Sequence, residues 1–349
     1  MKILYGVVGE GMGHATRSKV VLEHLQAEGH ELLVVASDRA HGFLKRFFPE
    51  VIEIEGLNLE YEQGAVDRSE TFFSLLKRLP EMVATNVKRF VELSLDYAPD
   101  LVISDFESFA YAFGRAHDIP VISIDNMQVL NRCSISEDIP KAYQKDFQIA
   151  KAVVKAKLPG AHHYLISSFF FPEIRKERTS LHPPILRPEI LATKPSDGAH
   201  VLVYQTSTSD TEMLEMLRGF DAEFRVYGYR RDEDLGNVQL KDFSEAGFIA
   251  DLASCQAVIA NGGFSLLSEA VYLGKPVLAV PVGKQFEQML NGLYLAKLGY
   301  GEMHEALRAE AIGPFLAKAK GYSENLKAHS QDGNKDLLGK LDTLIADLR

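Results

Sequence analysis

Residues 258–291 read VIANGGFSLLSEAVYLGKPVLAVPVGKQFEQMLN. The apolar run 258–260 predicts a strand, Asn261-Gly262-Gly263 a turn, and the pattern from about Phe264 a short helix. Two glycines let backbone pass close to a ligand, and the first helical N–H groups have no partner within the helix. Such an end attracts anions, phosphate above all. Glu269 follows Ser265 by one turn on the same helix face, which puts its carboxylate roughly 6 Å beyond the phosphate position. That is about the distance to a nucleotide's ribose hydroxyls. After the turn at Gly274-Lys275-Pro276 and a strand over 277–280, Glu287, Gln288 and Asn291 open the next helix, within reach of a sugar beyond the phosphates.

This block resembles the donor half of GT-B glycosyltransferases, on the branch with the peptidoglycan N-acetylglucosaminyltransferase and the UDP-sugar transferases. The matching residues are Gly262-Gly263, Ser265, Ser268-Glu269, Gly274-Lys275-Pro276, Glu287-Gln288 and Asn291. Without the resemblance, the glycines also suit an ordinary βαβ unit in which they only tighten a turn. The resemblance implies two Rossmann-like, doubly wound parallel-sheet domains facing a central cleft.

The 349 residues suit two domains, and 46% hydrophobic with 25% charged residues is ordinary for a globular protein. No stretch approaches the roughly 20 apolar residues of a membrane span. The opening MKILYGVVGEGMGH reads as a strand and glycine loop instead of a signal peptide, so a cytoplasmic location is expected. Cys133 and Cys255 are isolated, which argues against a disulfide framework or a zinc site. A net charge of −10 argues against nucleic acid as a partner.

Strands are predicted at 2–8, 31–36, 51–55, 101–104, 121–124 and 163–171. Helices are predicted from the first glycine loop to about 28, then over 39–48, 108–117 and 139–157, with one or two more over 70–95 interrupted at Pro80. Alternating elements with apolar strands imply a parallel sheet covered on both faces. Prolines 183, 184, 188 and 195 mark a linker, giving domains at 1–182 and 200–333 with 183–199 between them. Over 334–349, leucines and an isoleucine recur at helical spacing. The resemblance returns this last helix to the first domain.

The second motif is Gly9-Glu10-Gly11-Met12-Gly13-His14-Ala15-Thr16-Arg17, between a strand and a helix. Its glycines alternate, which is not the dinucleotide spacing. His14 leaves the turn where it could accept a proton from an acceptor hydroxyl, and an imidazole titrates near neutrality. A locally bonded helix-start histidine is the plain alternative. Arg17 is a candidate phosphate ligand or an exposed helix arginine. Carboxylates from later strand ends could orient His14, since such ends face the ligand crevice of a doubly wound sheet. Asp105 comes first, by analogy with the His–Asp pair of related transferases, and Asp125 second. Helix capping is the alternative for both. The motif is similar to the GxGH loop lining the acceptor side in that family, which makes Gly11, Gly13 and Arg17 its loop residues.

Thr206 and Ser207, after the first strand of the second domain, would touch donor phosphate by the same resemblance, though helix capping by Ser209 or Asp210 explains that loop without a ligand; Phe248-Ile249 would touch the base, through the backbone of a loop. Asp232-Glu233-Asp234 has DxD spacing but reads as a solvated turn, and His162-His163 lacks partner ligands. Phe72, Phe73, Leu75, Leu76, Leu79 and Met82 read as core, with part available as a lip for a lipid-linked acceptor. Lys141, Lys145, Lys151, Lys155 and Lys157 form a wet helix face that could also favour anionic lipid.

The implied enzyme is an inverting transferase that uses no metal or cofactor. It moves a sugar from a nucleotide-diphosphate sugar, UDP favoured, to a saccharide or lipid-linked acceptor hydroxyl, for cell-surface polysaccharide or glycolipid. Gly262, Gly263, Phe264, Ser265, Glu269, Glu287 and Gln288 hold the donor, and His14 with Asp105 forms the base. The resemblance also implies contact with the inner face of a membrane. A UDP-sugar 2-epimerase of the same fold and a non-catalytic nucleotide-sugar-binding protein remain as alternatives. Glu287, where the peptidoglycan enzyme has a glutamine, and Glu10 among the glycines prevent transfer of that enzyme's substrates.

Overall fold

The computed structural model describes residues 1–9, 11–56, 84–205, 211–283, 285–329 and 331–349. Thr206, Ser207, Glu10 and the aromatic series from Phe72 to Met82 lie outside them. The chain divides into two compact units: Met1–Ile185 with Asn334–Arg349, and Leu186–Gly333.

In unit 1 the strands are β1 (Lys2–Val7), β2 (Glu31–Ala36), β3 (Val51–Glu53), β4 (Leu101–Asp105), β5 (Val121–Asp125), β6 (His163–Ser167) and β7 (Thr179–His182). All pair in parallel, in the order β3-β2-β1-β4-β5-β6-β7. Leu4, Val102, Ile103 and Ile122 have no exposed surface, as strands covered on both faces require. The helices α1 (Met12–Ala27), α2 (Asp38–Leu44), α3 (84–96), α4 (Ser108–Ala116), α5 (Val129–Arg132) and α6 (Gln144–Lys157) follow the strands in alternation. Sheet order reverses between β1 and β4, so the loops leaving these two strands diverge and open a crevice at their carboxyl ends.

Unit 2 repeats the plan with β8 (Val201–Tyr204), β9 (Phe224–Tyr227), β10 (Glu233–Asp234), β11 (Val238–Lys241), β12 (Ala257–Ala260), β13 (Val277–Ala279) and β14 (Gly301–Met303). Their order is β10-β11-β9-β8-β12-β13-β14, parallel except for β10 against β11. Here the reversal falls between β8 and β12, which places the Asn261-Gly262-Gly263 turn at the switch point.

Residues 183–199 are not a free linker. Leu186 and Ile190 are buried, α7 (Pro188–Ala192) makes a single turn, and Ser196 N–H donates to Ala253 O at 2.9 Å. One helical turn is too short to show a period, so the prolines dominated the reading. The strand expected at 163–171 ends at Ser167, and β7 supplies an edge strand that the sequence did not signal. A final helix, α13 (Lys335–Asp347), packs into unit 1: Leu337, Leu341, Leu344 and Ile345 share a core with Ile3, Tyr5, Val21 and Leu25.

Candidate functional site

Unit 1 brings one constellation together at its switch point. After β1 the chain turns at Gly11, whose φ of 79° suits glycine, and α1 begins at Met12. His14, Arg17 and Ser18 then lie within its first two turns. Val7 and Asp105 are register partners across β1 and β4, which carries the Asp105 side chain under α1. Oδ1 of Asp105 lies 2.7 Å from Nδ1 of His14 and accepts from Nη2 of Arg17 at 2.5 Å. Its Oδ2 accepts from Nε of Arg17 and Oγ of Ser18, both at 2.8 Å. Asp105 has no exposed surface, while the His14 side chain keeps 12%.

Burial alone would push the Asp105 carboxyl up. The charges and hydrogen bonds of Arg17 and His14 outweigh it and hold the group well below the usual carboxylate range. Nδ1 of His14 also lies 2.6 Å from Nη2 of Arg17; an ionised Asp105 is acceptor-only, so the tautomer with the imidazole proton on Nδ1 completes the bond to Asp105 and leaves Nε2 as an acceptor. Arg17 is not an exposed helix arginine: its buried guanidinium pairs with Asp105 and bonds Asn126 Oδ1 at 2.9 Å.

Asp125 is not a partner of His14. It accepts from Ser123 Oγ and the Gln128 N–H, each at 2.7 Å. Glu107 caps α4, accepting from the Phe109 and Ala110 N–H groups at 2.6 and 2.7 Å. Phe106 escaped sequence reasoning. Its φ of 53° is rare for a bulky residue, and its ring lies 6.5 Å from that of His14, nearly parallel, with Lys157 Nζ 4.0 Å from its centre.

In unit 2, β12 ends at Ala260 and α10 (Phe264–Tyr272) starts after the glycine turn. Gly262 has φ 85°, and a Cβ there would lie 2.8 Å from the Gln288 carbonyl oxygen. Among the described residues no side chain caps α10, and a Cβ on Gly263 would meet no described atom within 4 Å. Asn291, on α11 (Phe286–Lys297), donates to Gly262 O at 3.1 Å and so braces the turn. Gln288 accepts from the Val282 N–H at 3.0 Å and donates to Gln285, so both ends of its amide are engaged locally. Glu287 sits beside it in the first turn of α11. Lys275 is buried and donates to Ser196 O at 2.6 Å, which makes it a brace between two segments.

Phe248 and Ile249 are not in a loop. They are buried in α9 (Glu245–Ser254), where Ser244 caps the helix and the Phe248 N–H donates to Ser244 O at 2.8 Å. An early amphipathic turn was mistaken for irregular chain. Asp232-Glu233-Asp234 is exposed but is not a turn: Glu233 and Asp234 form β10 against β11, Asp232 accepts from the Asp242 N–H, and Asp234 accepts from the Gly236 N–H.

Glu269 holds the least expected contact. It is buried on α10, and Arg187 grips it with a planar fork, Nε to Oε1 and Nη2 to Oε2, each 2.8 Å. Nη1 of the same arginine donates to Glu245 Oε1 at 2.7 Å. Burial pushes the Glu269 carboxyl up, and Arg187 works against that push. Arg187 was hidden inside the stretch read as a linker.

Among the described residues no group of three or more His, Cys, Asp or Glu could hold a metal ion. Nor is any described helix long and apolar enough to cross a membrane.

Comparison with known proteins agrees with this architecture. The family model described as glycosyl transferase family 1 matches residues 1–319. An uncharacterized glycosyltransferase of Methanosarcina mazei is 22% identical over 334 residues, 87% of this chain and 85% of the relative. The calicheamicin glycosyltransferase CalG4 superposes with a TM-score of 0.69 at 17% identity, over 99% of this chain and 98% of its own. A UDP-glucosyltransferase from Polygonum tinctorium gives 0.67 at 14% identity, over 98% of both chains. The glycosyltransferase VinC, solved with dTDP, gives 0.60 at 16% identity, over 100% and 99%. Family membership sets aside the epimerase and the non-catalytic binder. Since the family model spans most of its length and the fold matches these structures, the chain belongs to glycosyl transferase family 1 and is a glycosyltransferase of GT-B fold.

Proposed function

We propose that the enzyme transfers a sugar from a nucleotide-diphosphate donor, a UDP-sugar by preference, to an acceptor hydroxyl with inversion and without a metal. The observation that carries this reading is the His14–Asp105 pair. Nδ1 is tied to a buried, ionised carboxylate, so Nε2 faces the acceptor as a base. The hydroxyl proton goes to Nε2, the oxygen attacks the anomeric carbon, and the bond to the diphosphate breaks. Asp105 then faces an imidazolium and stabilises it. Arg17 already neutralises part of the Asp105 charge, so its role is to fix the carboxylate.

Unit 2 holds the donor. The first turn of α10, at Gly263, Phe264 and Ser265, receives the diphosphate and stabilises the charge on the leaving group. Glu269 accepts from ribose hydroxyls, and Glu287 reaches the sugar. Gln288, Phe248 and Ile249 shape this surface by packing. Thr206 and Ser207 complete the phosphate contacts. The acceptor is a saccharide or a lipid-linked saccharide at a membrane face, as the resemblance of the amino-terminal loop implies.

The test is nucleotide release from a panel of UDP-, GDP- and dTDP-sugars with candidate acceptors, using wild type and His14→Ala. The variant is expected to keep donor affinity and lose turnover. Undiminished turnover would overturn the assignment.

A further inference from the structure

Cations gather near the β7 edge of the first sheet. Arg132 ends α5, Lys151 and Lys155 stand one turn apart on α6, and Arg175 and Lys176 lie in the segment that enters β7. Arg132 is only 8% exposed, and it fixes that segment. Its Nε donates to Thr179 Oγ1 and its Nη2 to Glu177 O, each at 2.5 Å. Its carbonyl accepts from the Arg175 N–H at 2.9 Å, and its guanidinium lies 3.7 Å from the centre of the Tyr164 ring. Lys176 Nζ donates to Oδ1 of the buried Asn131 at 2.5 Å. Every one of these acceptors is neutral.

Among the described residues none of these cations forms an ion pair, and Glu173 and Glu177, in the same segment, pair with none of them. The cations act on one another instead. Partial burial lowers the pKa of the Lys151 amine, and the charges of Arg175 and Lys155 lower it further. At Lys176 burial is joined by Arg132, Lys155, Arg175 and Lys151. Composition does not explain the grouping, since the chain carries 48 Asp and Glu against 38 Lys and Arg. A buried guanidinium without a carboxylate, surrounded by like charges, is unfavourable unless an anion from outside the chain balances it. Phosphate suits this donor set: an arginine fork meets two of its oxygens in one plane, and lysine ammoniums add point charges.

We propose that Lys151, Lys155, Arg175 and Lys176, backed by Arg132, form an anion site for a phosphate group, carried by a lipid headgroup or by a soluble phosphate ester. The site is separate from the His14–Asp105 pair, because β5 and β6 stand between β4 and β7 in the sheet. Phe171 and Ile174, 55% and 40% exposed in the same segment, add an apolar part that suits the headgroup layer of a bilayer.

The experiment uses the full chain and two probes. Glycerol 3-phosphate is titrated by calorimetry, and co-sedimentation is measured with phosphatidylcholine vesicles containing about 30% phosphatidic acid or none. Wild type is compared with Lys151→Gln/Lys155→Gln, with Arg175→Gln/Lys176→Gln, and with Lys45→Gln/Lys320→Gln, which removes the same charge elsewhere. Circular dichroism checks folding, and if one cluster pair does not fold the other carries the test. Each cluster pair should bind the phosphate probe about tenfold more weakly than wild type, and the control pair within about twofold of it. Raising salt from about 0.05 M to about 0.5 M should weaken wild type more than the cluster pairs.

Binding to the anionic vesicles that Phe171→Ser also weakens identifies a lipid phosphate, and binding of glycerol 3-phosphate without the vesicles identifies a soluble ester; either upholds the site. No binding of either probe by wild type, cluster pairs that bind as wild type does, or an equal loss in the cluster and control pairs would overturn it.

Discussion

Nδ1 of His14 and Oδ1 of Asp105 meet at 2.7 Å although 91 residues separate them. The sheet order makes the contact, because β1 and β4 are neighbours and the two residues leave adjacent strand ends. Replacing Asp105 by Asn should lower kcat by about 10²- to 10⁴-fold, comparable to His14→Ala, with donor KM nearly unchanged. Steady-state kinetics at saturating donor measures this. An Asp105→Asn enzyme within twofold of wild type would show that the pair does not work as a base.

Arg17 gives the opposite signature. Arg17→Met leaves Asp105 buried without its main partner and should cost about 3–5 kcal/mol of stability, a large share of the 5–15 kcal/mol typical of a domain. Urea denaturation detects it. A phosphate ligand would instead leave the midpoint in place and raise donor KM.

The two glycines of the donor turn separate packing from binding. Gly262→Ala places a Cβ 2.8 Å from the Gln288 carbonyl oxygen at a φ of 85°, so both the fold and donor affinity should suffer, with a loss of about 1–3 kcal/mol. Gly263→Ala meets no described atom within 4 Å and should keep stability within about 0.5 kcal/mol. It should nevertheless weaken donor binding, because the new methyl lies where the diphosphate would sit. Equal donor affinity in Gly263→Ala and wild type would move the phosphate elsewhere.

Stability should fall as pH drops below neutrality. Nε2 of His163 lies 3.0 Å from Ser180 Oγ, which also lies 2.7 Å from Nε2 of His182, and His182 Nδ1 lies 2.6 Å from Asp336 on α13. Burial, then Lys340 and other nearby cationic or titratable groups, pushes His163 down to about 4, and burial lowers His182 too. Their folded values lie below the unfolded value near 6.5, so from there down the unfolded chain binds more protons. The stabilisation is fully present above about 6.5 and is lost as pH falls towards 4. Urea midpoints at pH 7.5 and 5 should differ, and His163→Gln should reduce the difference.

What the sequence revealed followed from local signals. An apolar run, glycines and a helix start stand next to one another at both switch points, so the two turns, His14 and Glu269 could be located by reading along the chain. Asp105 was accessible as the end of an apolar strand. The burial of Arg17 and the role of Arg187 gave no local signal, because their partners, Asp105 and Glu269, lie 88 and 82 residues away. No local pattern distinguishes a buried arginine from an exposed one until the sheet is assembled. β7 escaped notice because a four-residue edge strand with half-buried residues lacks the continuous apolar run of its neighbours. Phe106 gave no signal, since positive φ is a property of the folded turn.

The return of α13 to the first unit has a consequence for biosynthesis. Leu337, Leu341, Leu344 and Ile345 fill the same interior as β1, yet they are synthesised after the whole of the second unit. The first unit therefore stays incompletely packed, with apolar surface uncovered, while the second unit is synthesised. A fragment ending near Ile185 should accordingly be poorly soluble, whereas residues 186–333 can form their own interior without waiting.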